Sequence, residues 1–178
     1  IRRQVNEIGY LVDEFSSFAR LPNPDLKNNN ISNIISEVVS DYENNNKNIK
    51  FINKLHSDQI HLNIDNSQIS RVFQNLIVNS IHSIDESKKN DGEIVYLSNE
   101  IDNNVVISLI DNGVGLKYEK EDLIKPYFTT KRKIGGSGLG LAIVEKILFD
   151  HHADFILANR NDGVVGAEVN ITFEKIVT

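Results

Sequence analysis

Pro22 and Pro24 cut this chain into two unequal parts, because neither can donate a backbone N–H and each pushes the residue before it out of helical geometry. Before them, Ile1, Val5, Ile8, Val12, Phe15 and Ala19 recur at alternating intervals of four and three, the spacing of a heptad seam along one helix. Arg2, Arg3, Glu7, Asp13 and Glu14 fall off that seam. Leu11 and Phe18 widen the apolar face from that of a two-stranded coil toward that of a helix bundle, so the helix over residues 1–21 needs a partner. Residues 22–30, polar and proline-broken, read as a linker, and 31–178 as a separate domain. The first residue is not methionine and the pattern opens in mid-helix, so the chain reads as part of something longer.

Within the larger part, Ile31, Ile34, Ile35, Val38, Val39 and Tyr42 have helical period and end in an asparagine cluster at 44–46. Two short strand-like stretches follow, over 49–55 and 60–64. Asp65 or Asn66 can then cap a helix bearing Ile69, Val72, Phe73, Leu76, Ile77, Ser80 and Ile84. Residues 93–99 and 104–110 read as an antiparallel hairpin turning at Ile101-Asp102-Asn103. Residues 112–138 are glycine-rich without sustained period, a connection of the length kept for lids and binding loops. A helix over 139–149 and a last hairpin, 153–159 with 164–173 around Asn161-Asp162-Gly163, complete the pattern.

A chain of 178 residues has room for one substantial core plus an appendage. The net charge of −6 lacks the basic face that a general nucleic-acid surface needs to displace counterions, so nucleic acid is not an expected partner. Without cysteine, neither disulfides nor thiolate metal sites can hold the fold, and the cytoplasm is the default compartment. The longest apolar run, near 139–149, is cut by Glu145 and Lys146 and falls far short of the roughly 20 residues a spanning helix needs, so no membrane contact is expected within this chain.

Three constellations carry chemistry. Gly136-Ser137-Gly138-Leu139-Gly140-Leu141 lies where a loop enters a helix, so unpaired N–H groups and the positive end of a dipole face whatever anion sits there. Phosphate is the obvious ligand, although glycine before a helix is also an ordinary tight turn. A dinucleotide fingerprint needs glycine where Leu141 stands, and a P-loop needs Gly-Lys-Ser/Thr, which the chain lacks. Asp111-Asn112-Gly113-Val114-Gly115 puts a carboxylate at a strand end, able to accept from an exocyclic amine, beside glycines that let backbone approach a flat ligand. The same residues also suit a plain β-turn. Asn75 and Asn79 project one turn apart on one helix face among Val72, Leu76, Ile77 and Ile81. Buried there, each amide would need a partner, and an amide oxygen is a reasonable hard ligand for Mg²⁺; surface asparagines in an asparagine-rich protein are the alternative.

In this order, and with Pro126-Tyr127-Phe128-Thr129-Thr130-Lys131 between the last two, these elements resemble the N, G1, F and G2 boxes of the histidine-kinase branch of the GHKL ATP-binding superfamily, over roughly residues 31–175. The resemblance implies a two-layer α/β sandwich (the α+β Bergerat type), a mixed sheet covered by helices on one face. It also implies a site for ATP and Mg²⁺. Asn79 would coordinate Mg²⁺ and Asn75 support the phosphate and metal region, both as catalytic residues. Asp111 would meet the adenine amine, Gly113 and Gly115 line the adenine pocket, and Gly136, Gly138 and Gly140 hold the triphosphate. Phe128 would anchor the lid, and Thr130, Lys131, Ser137 and Leu139 complete the nucleotide-binding set, with Lys131, Arg132 and Lys133 as lid cations. The N-terminal stretch, Ile1-Arg2-Arg3-Gln4-Val5 and then residues 12–22, looks like the second helix of the dimerisation and phosphotransfer domain in NtrY-type nitrogen-regulation sensors. That likeness implies a homodimer through the N-terminal helix, a response-regulator partner, a missing first helix bearing the phospho-accepting histidine, and a full-length protein anchored in the inner membrane with this part cytoplasmic.

Hydrolases of the superfamily carry a glutamate four residues before the metal asparagine to activate water, and here Asn75 stands in that place. A neutral amide cannot take a proton, so phosphoryl transfer to a histidine is expected over rapid hydrolysis. A non-catalytic nucleotide-binding module and a GHKL-type ATPase are the alternatives. Many members place a lysine three residues after the metal asparagine; here it is His82. His151 and His152 end a helix, where positive charge suits the dipole.

Overall fold

The computed structural model describes residues 9, 12, 16, 19–128 and 138–175. Those of the first stretch are helical, with the Arg20 N–H donating to the Ser16 carbonyl at 3.1 Å, and Val12 of the heptad seam is 55% exposed. The other seam positions ahead of Ala19 lie outside the described residues.

The larger part runs β1 (Lys27–Asn30), α1 (Ile31–Glu43), β2 (Ile49–Lys54), β3 (His61–Ile64), α2 (Asn66–Ser87), β4 (Gly92–Ile101), β5 (Asn104–Asp111), α3 (Lys120–Leu123), α4 (Gly140–Asp150), β6 (Asp154–Asn159) and β7 (Ala167–Glu174). The main sheet has the order β2-β4-β5-β7-β6, with β2 and β4 parallel and the other pairs antiparallel, so it is mixed as expected. Both expected hairpins form, β4 with β5 and β6 with β7.

Alternation along the strands decides the layering. Ile94, Tyr96, Val105, Ile107, Leu109, Phe155, Leu157, Val169, Ile171 and Phe173 all point into one core with the apolar stripes of α1, α2 and α4. Their neighbours in sequence, such as Val95, Val106 and Ile156, are half-buried or exposed on the opposite face. The helices therefore cover a single face, giving two layers. Helix α2 lies against this sheet through Ile69, Val72, Phe73, Leu76, Ile77 and Ile84, each buried at a gain of about 1.5–3 kcal/mol per side chain. Asp65 caps it by accepting the Gln68 N–H at 3.0 Å, and Lys88 ends it in the left-handed conformation at φ 55°.

Two expectations need correction. Residues 27–30, read as linker, form β1 and pair antiparallel with β3 in a second, two-stranded sheet; Asn30 then caps α1 by accepting the Ser32 and Asn33 N–H groups. Even residues 22 and 25 are tied to α2: Gln68 donates to the Pro22 carbonyl at 2.9 Å and the Asp25 N–H to Asp65 at 2.9 Å. His151 is not a cation facing a helix dipole. It is 7% exposed, Nδ1–H donates to the Ile147 carbonyl at 2.8 Å, and Nε2 accepts the Asp65 N–H at 3.0 Å, so both nitrogens serve the neutral ring. Burial pushes its pKa down accordingly.

Candidate nucleotide site

Helix α2 presents Asn75 and Asn79 on successive turns beside α4, but neither is buried: both are half-exposed at the edge of an apolar stripe whose Val72, Leu76, Ile77 and Ile81 are buried. The Asn75 amide donates to the Arg71 carbonyl one turn back at 2.8 Å, which turns Oδ1 outward. That oxygen faces the start of α4 so closely that a Cβ added to Gly140 would sit 2.8 Å from it. A side chain at 140 would therefore have to push the Asn75 amide aside. Leu139 fixes the same junction from inside, fully buried in the core, so only its backbone can meet a ligand. Among the described residues no side chain caps the first turn of α4, and backbone N–H groups at a helix start suit an anion.

Asp111 ends β5 and is 4% exposed. One carboxylate oxygen accepts the N–H groups of Gly113, at 2.8 Å, and Ala167, at 3.3 Å; the other accepts the Ser80 hydroxyl at 3.1 Å. Burial pushes its pKa up, and these donors with the nearby Arg160 guanidinium oppose that rise. The loop that follows is held on every side. Asn112 accepts the Glu93 N–H and donates to the Asp91 carbonyl, and the Val114 N–H reaches both the carbonyl and the hydroxyl of Ser83. A Cβ at Gly113 would fall 2.5 Å from the Ser83 carbonyl carbon. Gly115, at φ +74°, lies under Asn159, whose amide accepts the Leu116 N–H at 2.6 Å and donates to the Leu116 carbonyl at 3.1 Å.

Tyr127 pairs its N–H with the Gly138 carbonyl at 2.9 Å, so the described residues on either side of 129–137 meet. Gly138, at φ +71°, has no room for a Cβ, which would sit 2.7 Å from the Tyr127 carbonyl carbon. Phe128 stacks edge-on against Tyr118 with ring centroids 5.1 Å apart. Thr130, Lys131, Gly136 and Ser137 lie outside the described residues, as do Arg132 and Lys133.

The structure thus joins the three constellations pairwise: Asn75 to Gly140, and Asp111 to α2 through Ser80, the neighbour of Asn79. Sequence reasoning missed Ser80, Ser83, Asn159 and Gly166. A Cβ at Gly166 would lie 1.9 Å from the Asp111 carbonyl oxygen, a contact between residues 55 apart that no local pattern announces. Ser80 did leave a signal, as a hydroxyl at a core-facing position of α2.

Fold and site together define a two-layer α/β ATPase-type domain in which helix α2 links the acidic strand end, through Ser80, to the start of α4, through Asn75. Residues 64–176 match the family described as histidine kinase-, DNA gyrase B-, and HSP90-like ATPase, and the chain belongs to that family. It is 34% identical to the nitrogen regulation protein NtrY of Azorhizobium caulinodans, over 98% of this chain and 23% of that protein. It is likewise 34% identical to a putative sensor histidine kinase, NtrY-like, of Rickettsia bellii, over 97% of this chain and 28% of that one. The chain therefore spans about a quarter of the length of these curated relatives. Among solved structures, the catalytic domain of histidine kinase ThkA superposes with a TM-score of 0.72 at 28% identity, covering 85% of this chain and 96% of that one. ThkA in complex with the response regulator protein TrrA superposes at 0.77 and 24% identity, over 98% of this chain and 49% of that chain, a likeness of fold.

Proposed function

We propose that this chain is the ATP-binding catalytic part of a sensor histidine kinase, transferring the γ-phosphoryl group of Mg-ATP to a histidine on a separate dimerisation helix, for relay to a response-regulator aspartate. The observation that carries this reading is Asn75. Its uncharged amide oxygen faces the α4 N-terminus, where the phosphates would lie, so the place from which a base would activate water holds no base. With water not activated, the terminal phosphoryl group is kept for an imidazole, whose neutral form offers a lone pair.

Each element has a task in this scheme. Asp111 accepts from the adenine amine, the backbone at Gly113 and Gly115 flanks the base, and the α4 N–H groups with Gly138 and Gly140 meet the triphosphate. Phe128, seated on Tyr118, anchors the lid, and Thr130, Lys131, Gly136 and Ser137 belong to the nucleotide-binding set. Magnesium fits here as a partner of the phosphates. Asn79 offers one hard amide oxygen on the exposed edge of α2, and no group of three or more carboxylates or histidines among the described residues forms a dedicated cage. When bound, the ion neutralises phosphate charge. The heptad helix supports a homodimer, in which phosphorylation within or across subunits becomes possible, and the reading extends to a cytoplasmic domain of a membrane-anchored protein. No helix among the described residues is long and apolar enough to cross a membrane.

Calorimetric titration with ATP, with and without Mg²⁺, followed by incubation with labelled ATP and a supplied acceptor helix, tests the reading. Magnesium-dependent binding and label on the acceptor histidine are expected. Tight binding without transfer would replace the kinase with a regulatory nucleotide-binding module.

A further inference from the structure

Ser80 is a buried polar side chain of α2, in contact with the site, that the scheme above leaves without a task. It is 6% exposed, and its hydroxyl donates to Asp111 Oδ2 at 3.1 Å. The other carboxylate oxygen is engaged by two backbone N–H groups, so Ser80 supplies the side-chain hydrogen bond that fixes the carboxylate's orientation about its own bond. Neighbouring helix residues point about 100° apart, so Asn79 and Ser80 serve different directions: one toward the edge where phosphate would lie, the other inward to Asp111.

We infer that Ser80 is a specificity-determining residue, which with Asp111 forms an acceptor pair selecting purines that carry a 6-amino group over those with a 6-oxo group. This deepens, and rests on, the nucleotide site proposed above. A hydroxyl has one hydrogen and two lone pairs. With its hydrogen committed to Oδ2, Ser80 offers only lone pairs toward a base, and the carboxylate likewise. Two acceptors side by side meet the N–H₂ of adenine favourably, whereas the O6 of hypoxanthine or guanine would bring a third acceptor against them. A site whose buried polar groups are left unmatched by the wrong ligand discriminates strongly, which is how a single hydroxyl can set selectivity. Without Ser80 the carboxylate loses both its orientation and one acceptor, and the penalty on a 6-oxo base relaxes.

The test compares the affinity of the chain for ATP and for inosine triphosphate, which differs at the base, with magnesium tripolyphosphate as a baseless control. In Ser80→Ala the ATP-to-ITP affinity ratio is expected to fall by about tenfold while tripolyphosphate binding stays unchanged, on the order of one hydrogen bond to a charged group. Ser80→Cys, which keeps the volume and offers only a weak S–H donor, is expected to fall in between, and it carries the test if the alanine variant does not fold. An equal loss for ATP, ITP and tripolyphosphate would show a structural residue only and overturn the inference, as would an unchanged ratio. A wild-type chain that binds no ATP would overturn the nucleotide reading itself; one that binds ATP while the variants keep its ratio overturns the role of Ser80 alone.

Discussion

Replacing Gly113 by alanine tests whether the loop after β5 is held in place by direct contact with α2. The added methyl would sit 2.5 Å from the Ser83 carbonyl carbon, whereas ordinary contact begins at 3.4 Å, so loop and helix must part by roughly 0.9 Å. Helix backbone cannot rotate away as a side chain can. Both bonds of the Val114 N–H to Ser83, at 3.2 and 3.1 Å, would then stretch beyond hydrogen-bonding range. Losing that hydrogen bond costs about 1 kcal/mol and overpacking about 1–3 kcal/mol, against about 0.4–1 kcal/mol regained from the stiffer unfolded chain. The net loss of about 2–3 kcal/mol corresponds to a Tm lower by roughly 4–12 °C for a domain of this size. Gly163 is the control: nothing lies within 4 Å of its Cβ position, and only its φ of +83° opposes a side chain, at a cost of about 1 kcal/mol. Thermal unfolding followed by circular dichroism, with ATP titration of each variant, measures both effects. ATP affinity should fall in Gly113→Ala and hold in Gly163→Ala. Equal Tm losses in the two variants would refute the claim that the approach to Ser83 positions the loop.

Asn75→Glu restores a base where the hydrolases of this family keep one, and ATP hydrolysis measured by phosphate release should rise by about tenfold or more at the expense of transfer to the acceptor helix. No rise would mean that Asn75 does not stand over the terminal phosphate. His151 makes stability depend on pH: its folded pKa lies below the ordinary 6.5, so between the two values the unfolded chain binds more protons and stability increases with pH. The contribution is complete above about 6.5 and lost as pH falls through the folded value. Urea midpoints at pH 7.5 and 5.5 should lie closer together in His151→Gln than in the natural chain, and an identical gap would sink the assignment of a neutral ring.

Most elements were legible in the sequence because their cause is local. The stripe from Ile69 to Ile84 needs only the helical repeat to become a core face, and the hairpin of β4 and β5 needs only β-branched runs around Asp102-Asn103. The linker was misread because β1 is a run of lysine and asparagines with no strand signal of its own. It becomes a strand by pairing with β3, some 35 residues away. The asparagines at 75 and 79 share one face of α2, and whether they are buried or on the surface stayed open in the sequence, since a stripe of apolar neighbours does not say where its edge lies.

By itself, then, the sequence determined the order of elements, the proline break, and the residue types that a phosphate, a metal and an adenine would require, because these follow from backbone period and from the donors and acceptors each side chain carries. Only the tertiary structure decided which of them meet. It seats Asn75 against Gly140 and Ser80 against Asp111, and it brings Asn159 and Gly166 from the far hairpin to hold the nucleotide loop. Those contacts join segments up to 65 residues apart, as Asn75 and Gly140 are, and the packing of helices on a twisted sheet sets them rather than any local preference.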